Sequence, residues 1–431
     1  MSRRSRINRI PTWLIPMFYV AATVVCGMIL PRVENAYLPS HEGIAIASAQ
    51  AFLSATASGM LALTGIVFAL AFVMVQFGAI AYSPRLVDSF ASDRVLFHSL
   101  GVFSATFIYS LITLLWIDRG ASGQVPLLSA LIVAALCILS MFFFSLMIRR
   151  LKDLQISSVL EMIGGKGRQV IEQMFPRLDS VAPPVVELKD TDFRPGSITQ
   201  SLRYEGPPRT VTHFDIAGLV AEARDADALI EMLCAVGDTV VEGMLLLHVH
   251  SGTTHLRDEK LISLIGFDRT RTFEQDPSFA IRLLVDIAVK ALSPAINDPT
   301  TAVQAIAQIE DLLVRLGHRV LDRGCHRDRT GVIRLCVPMP SWSDYLALAF
   351  EEIRDFGGAS VQVTRRMRAA LAQLAESVHI EDRAEAVQRH IRHLDATVER
   401  SFSDPDERAT ARLEDRQGLG RPRQQAAYGR G

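Results

Sequence analysis

The chain has 431 residues, with 45 Lys and Arg against 46 Asp and Glu and a formal net charge of −1, a balance that excludes nucleic-acid binding driven by overall basicity. Its five cysteines form no C-x-x-C pair, which argues against a disulfide framework and fits reduced thiols. These totals average two unlike regions, since every long apolar run lies before Arg149 and the remainder is charged.

Four membrane spans are predicted in the first region: Trp13–Leu30, Leu61–Ile80, Val95–Ile117 and Val125–Ile148. Each meets the ~20 apolar residues that one crossing needs. The first follows Arg3, Arg4, Arg6 and Arg9 like a signal peptide, but Pro31-Arg32-Val33-Glu34 offers no small-x-small cleavage site, so a retained helix is expected. Residues 43–84 contain no Asp, Glu, Lys, Arg or His. The second half of that run suffices to cross, which leaves 43–60 as an uncharged extension, either helical or re-entrant. Short connections predict antiparallel neighbours.

Within the second span, Ser58, Ala62, Gly65 and Ala69 fall on one helical face, with Gln76 as a polar interruption further on. Small residues let helices approach closely in lipid. The face fits close packing inside the four-helix unit, or the lining of a pore or protomer interface. No carboxylate falls inside the four predicted spans, and His98, four residues after Arg94, is expected at an interface. A proton-driven pump is therefore not expected. A passive pore assembled from several protomers is compatible with this composition.

Arg3, Arg4, Arg6, Arg9, Arg85, Arg94, Arg149, Arg150 and Lys152 flank one side of the spans, against Arg32 and Arg119 on the other. The positive-inside rule then puts both termini in the cytoplasm, with Trp13, Tyr82 and Trp116 near the interfaces.

The second region predicts a cytoplasmic α+β domain over 151–402. An amphipathic helix is expected from Leu151 to Phe175 with a break near Gly164-Gly165, then a linker from Pro176 to about Pro208. Thr210–Ile216 alternates like a strand, and Asp225–Val236 reads as a short helix. Gly237–Val249 reads as two β runs joined through Glu242-Gly243, completing a small β module near 210–250. This stretch resembles the hairpin of biotinyl and lipoyl carrier domains but lacks a modifiable Lys at its tip, so no carrier chemistry is expected. His248 and His250 share a strand face, yet no Asp or Cys at convincing spacing completes a metal set. Cys325-His326 with Cys336 is no more persuasive.

Two helix starts stand out. Asp276 before Pro277 and Asp298 before Pro299 each place a capping side chain ahead of a proline at the first helical position. The first helix should end before Pro294 and the second at Gly317. Arg282, Asp286 and Lys290 form an i, i+4 ladder on the first. Arg269, Arg271, Gln275 and Asn297 around these starts could frame a small anionic effector, or the cluster could be ordinary capping and ion pairing. Nothing pairs a nucleophile with a base, so no enzyme, cofactor or metal is expected. A strand is predicted at Gly331–Val337, helices at Ser341–Phe356, Val361–Val378 and Asp382–Phe402, and a disordered polar tail over 403–431.

Two stretches carry a family resemblance. One runs from Ser54-Ala55-Thr56-Ala57-Ser58-Gly59-Met60 through Gly65-Ile66-Val67-Phe68 to Gln76-Phe77 and Ser83-Pro84-Arg85. The other runs from Glu274-Gln275-Asp276-Pro277 through Leu284-Val285-Asp286-Ile287-Ala288 to Ala291-Leu292-Ser293-Pro294-Ala295-Ile296-Asn297-Asp298-Pro299-Thr300-Thr301-Ala302. Together they resemble the bacterial predicted membrane proteins grouped as domain of unknown function family 2254, over roughly Pro11 to Phe402. The resemblance implies a multi-pass protein of the bacterial inner membrane and brings no activity or site residues. The expected function is an oligomeric channel or passive transporter regulated by its cytoplasmic domain, with the lipid bilayer and further copies as partners. The alternative is a membrane-anchored sensor or scaffold.

Overall fold

A computed structural model describes residues 12–37, 46–77, 94–119, 127–152, 155–180, 196–321 and 324–419. The expectations for Arg3, Arg4, Arg6, Arg9, Tyr82, Arg85 and residues 181–195 and 420–431 lie outside them. The chain divides into two compact units, Met1–Gln155 and Ile156–Gly431.

The first unit contains helices α1 (Leu14–Tyr37), α2 (Ile46–Phe77), α3 (Arg94–Arg119) and α4 (Leu127–Lys152). All four are long and apolar enough to cross a membrane. All four helices run past their predicted bounds, α1 and α2 the furthest. α1 continues through Pro31 to Tyr37, so Glu34 lies inside a membrane helix rather than beyond it; such helices tolerate proline because neighbouring groups satisfy the freed carbonyl. α2 runs unbroken for 32 residues, so the uncharged extension is helical from Ile46 onward, not re-entrant.

α3 is the hub, with 50 % of its most apolar window buried against 17–22 % for the other three. Glycines set the approach of α1: a Cβ on Gly27 would stand 3.0 Å from Ile112, and one on Gly101 would stand 2.5 Å from the Tyr19 ring. Leu53 clusters with Tyr109 and Val133, and Val67 with Phe103 and Met147. These pairings run α1 parallel to α3 and set α2 and α4 antiparallel to it.

The second unit begins with α5 (Ile156–Met174), which is continuous where a break was expected. Its glycines serve packing instead. A Cβ on Gly167 would sit 2.8 Å from Ala280 and 2.9 Å from Leu312, so only glycine lets the neighbouring helices come this close. The expected linker contains a short 3₁₀ turn at Leu178–Ser180 and a strand, β1 (Ile198–Arg203). After it come β2 (Arg209–Phe214), α6 (Ile216–Asp225), β3 (Leu229–Met232), β4 (Thr239–Val240), β5 (Leu245–His250), α7 (Asp258–Ser263) and β6 (Ile265–Asp268).

Two expectations fail in this stretch. The helix lies at 216–225, not 225–236, because Asp215 caps it by accepting from the Gly218 amide. Residue Asp227 then turns the chain at φ 47°, and Leu229–Met232 alternates half-buried and buried as a strand does. Nor do β4 and β5 form a hairpin. β5 sits between β1 and β3, whereas β4 pairs with β2. The Glu242-Gly243 turn, with Gly243 at φ 80°, therefore carries the chain from one sheet to the other. The larger sheet has order β1-β5-β3-β8-β7 and the smaller β4-β2-β6. Here β7 is Cys325–Arg327 and β8 is Ile333–Cys336, the latter within the predicted strand.

The helical part comprises α8 (Pro277–Ala291), α9 (Pro299–Gly317), α10 (Trp342–Gly357), α11 (Val361–Ser377), α12 (Glu381–Ser401) and α13 (Pro405–Ala411). Both Asp-Pro starts form as predicted: Asp276 accepts from the Phe279 amide and Asp298 from the Thr301 amide. α9 packs on α8, α5 and α11. Arg383, buried on α12, donates to the carbonyls of Gly317 and Arg319 at 3.1 and 2.9 Å, placing a cation at the end of α9 where the last carbonyls need donors. The chain stays ordered beyond Ser403. α13 forms there, Asp415 is buried, and Gln362 donates to the Gly418 carbonyl at 2.6 Å. Composition alone suggested disorder because it does not register such docking.

Candidate functional site

In the membrane unit the small-residue face of α2 points outward. Ser58, Ala62, Gly65, Ala69 and Gln76 are all exposed, whereas Ala49, Leu53, Thr56, Ala57 and Val67 form the buried side. A Cβ added at Gly59 or Gly65 would meet nothing within 4 Å. Of the two readings of this face, packing inside the protomer therefore does not apply. The stripe faces away from the other three helices, with phenylalanines at 68 and 72 exposed nearby.

A second polar feature went unseen in the sequence. Glu34 is 7 % exposed. Its carboxylate accepts from the backbone amides of Leu128 at 2.6 Å and Ser129 at 3.2 Å, and from the Ser129 hydroxyl at 3.2 Å. These are the unpaired N–H groups at the start of α4, and a negative charge there is stabilised by the helix dipole. Glu34 thus caps a different helix from its own and ties α1 to α4. Tyr109 is buried on α3 beside this cap, with its hydroxyl towards Ser129. Along α3, Ser99, Thr106, Ser110 and Thr113 are fully buried, and each hydroxyl donates to the carbonyl four residues back at 2.7–2.8 Å. Thr106 also bonds Ser140 of α4 at 3.1 Å. His98 lies 3.2 Å from the Tyr19 hydroxyl. The signal for Glu34 was available, since extending the first span by one turn brings it inside.

In the second unit two of the four expected effector residues, Arg271 and Gln275, have internal side-chain partners. The Arg271 guanidinium forks onto the Asp276 carboxylate, with Nη2 at 3.0 Å from Oδ1 and Nε closer still to Oδ2. It also lies over the Phe279 ring and against Gly237, where a Cβ would stand 2.5 Å from it. Burial raises the Asp276 carboxyl above the usual range, and Arg271 opposes that shift. Gln275, held at φ 56°, accepts from the Phe214 amide at 3.0 Å and donates to the Phe214 carbonyl at 3.1 Å. Its side chain therefore acts as a strand partner where β4 has ended. Asn297 occupies the equivalent place before α9 at φ 47°, and Arg269 is exposed. Asp276 thus occupies Nε and Nη2 of the guanidinium that the effector reading assigned to an anion.

The histidines on β5 have separate partners. His250 bonds Glu231 at 2.8 Å and the Gly196 carbonyl at 2.9 Å, while His248 bonds the Ser201 hydroxyl at 2.9 Å. No group of three or more potential metal ligands occurs among the described residues.

The profile of the family described as "Predicted membrane protein (DUF2254)" matches residues 9–373. Uncharacterised proteins of Mycobacterium bovis and Mycobacterium tuberculosis are 27 % identical over 435 residues, covering 92 % of this chain and 78 % of theirs. No solved structure shows significant similarity to the chain.

Proposed function

Since the chain belongs to the DUF2254 family of predicted membrane proteins, we propose that it is an oligomeric channel or passive transporter regulated by its second unit. One observation carries this reading: the small-residue face of α2 is exposed along Ser58, Ala62, Gly65 and Ala69. A face that leaves its own bundle and permits close backbone approach suits contact with another copy in lipid. Ser58 and Gln76 on that face supply the uncharged polar groups with which a passive pathway can be lined. The charge asymmetry of the loops supports an inner-membrane placement with both termini cytoplasmic.

The test uses the purified full chain in detergent and in liposomes. Gly65→Phe and Ala62→Phe project into open space and should leave the melting temperature unchanged. They should convert an oligomer to monomer in light scattering and abolish ion flux. A monomeric wild type, or variants that keep both assembly and flux, would refute the proposal. An intact oligomer that passes no ion or solute would identify the anchored sensor or scaffold instead.

A further inference from the structure

We infer that Cys325 and Cys336 form a reversible dithiol–disulfide couple, a site of oxidative modification on the edge of the larger sheet. Cys325 on β7 stands directly opposite Cys336 on β8 in the antiparallel register. Both are present as thiols.

The hydrogen-bond pattern decides how near their side chains lie. The Val337 amide donates to the Gly324 carbonyl at 3.1 Å, which makes Gly324 and Val337 a hydrogen-bonded pair. In an antiparallel ladder the adjacent pair is then the narrow, non-hydrogen-bonded kind. Its Cα atoms lie about 4.5 Å apart, with side chains on the same face. Disulfides span Cα separations of about 4.4–6.8 Å, so the bond can close without moving either strand. Gly324 helps fix this spacing. It sits at φ 70°, and a Cβ there would stand 2.5 Å from the Val337 carbonyl.

The two thiols differ in access. Cys325 is half-buried and lies on the outermost strand, which among the described residues pairs with β8 alone, whereas Cys336 is 9 % exposed. That asymmetry assigns their roles with a low-molecular-weight disulfide such as oxidised glutathione as oxidant. The Cys325 thiolate attacks one sulfur of the small disulfide and expels one thiolate, forming a mixed disulfide. The Cys336 thiolate then attacks the Cys325 sulfur and expels the second. Two protein thiols lose two electrons and two protons in total, and one small disulfide becomes two small thiols. The product ties the edge strand to β8 across the ten-residue connection that carries Asp328. Cys234 provides an internal control: it is fully buried, and burial together with nearby Asp238 pushes its thiol up to about 12.

The experiment equilibrates the full chain in detergent with reduced and oxidised glutathione over a range of ratios, quenches with acid, alkylates and measures mass. Wild type should lose about 2 Da and yield a peptide joining Cys325 to Cys336, with Cys234 unmodified. Cys336→Ser should instead accumulate a glutathione adduct on Cys325, at least tenfold above wild type, because nothing resolves it. Absence of the joined peptide at every ratio overturns the inference, as does a wild type that keeps the adduct as Cys336→Ser does. The wild-type measurement stands whether or not the variant folds.

Discussion

Gln275→Glu tests whether Gln275 completes the edge of β2 or belongs to a ligand site. The substitution preserves size and the acceptor oxygen facing the Phe214 amide, but puts a second oxygen where Nε2 now donates to the Phe214 carbonyl at 3.1 Å. One hydrogen bond, worth about 1 kcal/mol, is lost, and a partly buried carbonyl left facing a carboxylate costs about 2 kcal/mol more. A total of ~3 kcal/mol should lower the melting temperature of a unit this size by roughly 6–12 °C. Gln275→Gly is the paired control. It leaves both the Phe214 amide and carbonyl without this partner, about 2–4 kcal/mol, offset by about 1 kcal/mol from relief of the left-handed backbone at φ 56°. Both variants should therefore melt below wild type in thermal unfolding followed by circular dichroism. If Gln275→Glu melts with wild type, the strand-completing role is wrong.

Glu34→Ala strips the start of α4 of its acceptor and should cost ~2–3 kcal/mol, because two buried amides lose their partner. Glu34→Gln keeps one acceptor and should cost about 1 kcal/mol. Thermal aggregation of the detergent-solubilised protein ranks them, and an alanine variant as stable as wild type would remove Glu34 from the α1–α4 tie. His390 gives a pH dependence. Burial, followed by the charges of His393, Arg354 and Arg389, lowers it from 6.5 to about 4. The folded state therefore resists its protonation. The stability it contributes is complete above pH 6.5 and falls as pH drops towards 4, by roughly 3 kcal/mol over that window. His390→Gln should flatten this part of the melting-temperature profile, and an unchanged slope would assign the dependence to other groups.

The elements legible in the sequence were those specified by local rules. The Asp276-Pro277 and Asp298-Pro299 starts depend on a cap and a proline within one turn, and both formed. The apolar spans were visible from run length. Features that depend on distant partners were not legible. Gly164-Gly165 read as a helix break because the close approach of Gln308 to Gly164, and of Ala280 and Leu312 to Gly167, is tertiary. β4 and β5 read as a hairpin because no local pattern shows that their neighbours belong to different sheets. Arg271 and Gln275 read as ligand donors because Asp276 and the Phe214 backbone meet them only in the fold. The orientation of the α2 stripe could not be read either, since small residues look alike whether they face a neighbouring helix or the outside.

The length of α2 bears on the membrane itself. Its apolar span of 28 residues, at about 1.5 Å per residue, measures about 42 Å, whereas the 21 and 22 residues of the first and fourth spans come to about 32–33 Å. A hydrocarbon layer of about 30 Å accommodates the shorter pair nearly upright. The same layer holds α2 only if the helix leans by ~45°, if lipid thickens around it, or if its surplus is covered by protein. The surplus turns carry part of the exposed small-residue face. Bilayer thickness thus becomes a variable acting on this helix in particular: thin membranes increase its mismatch, and thick ones diminish it.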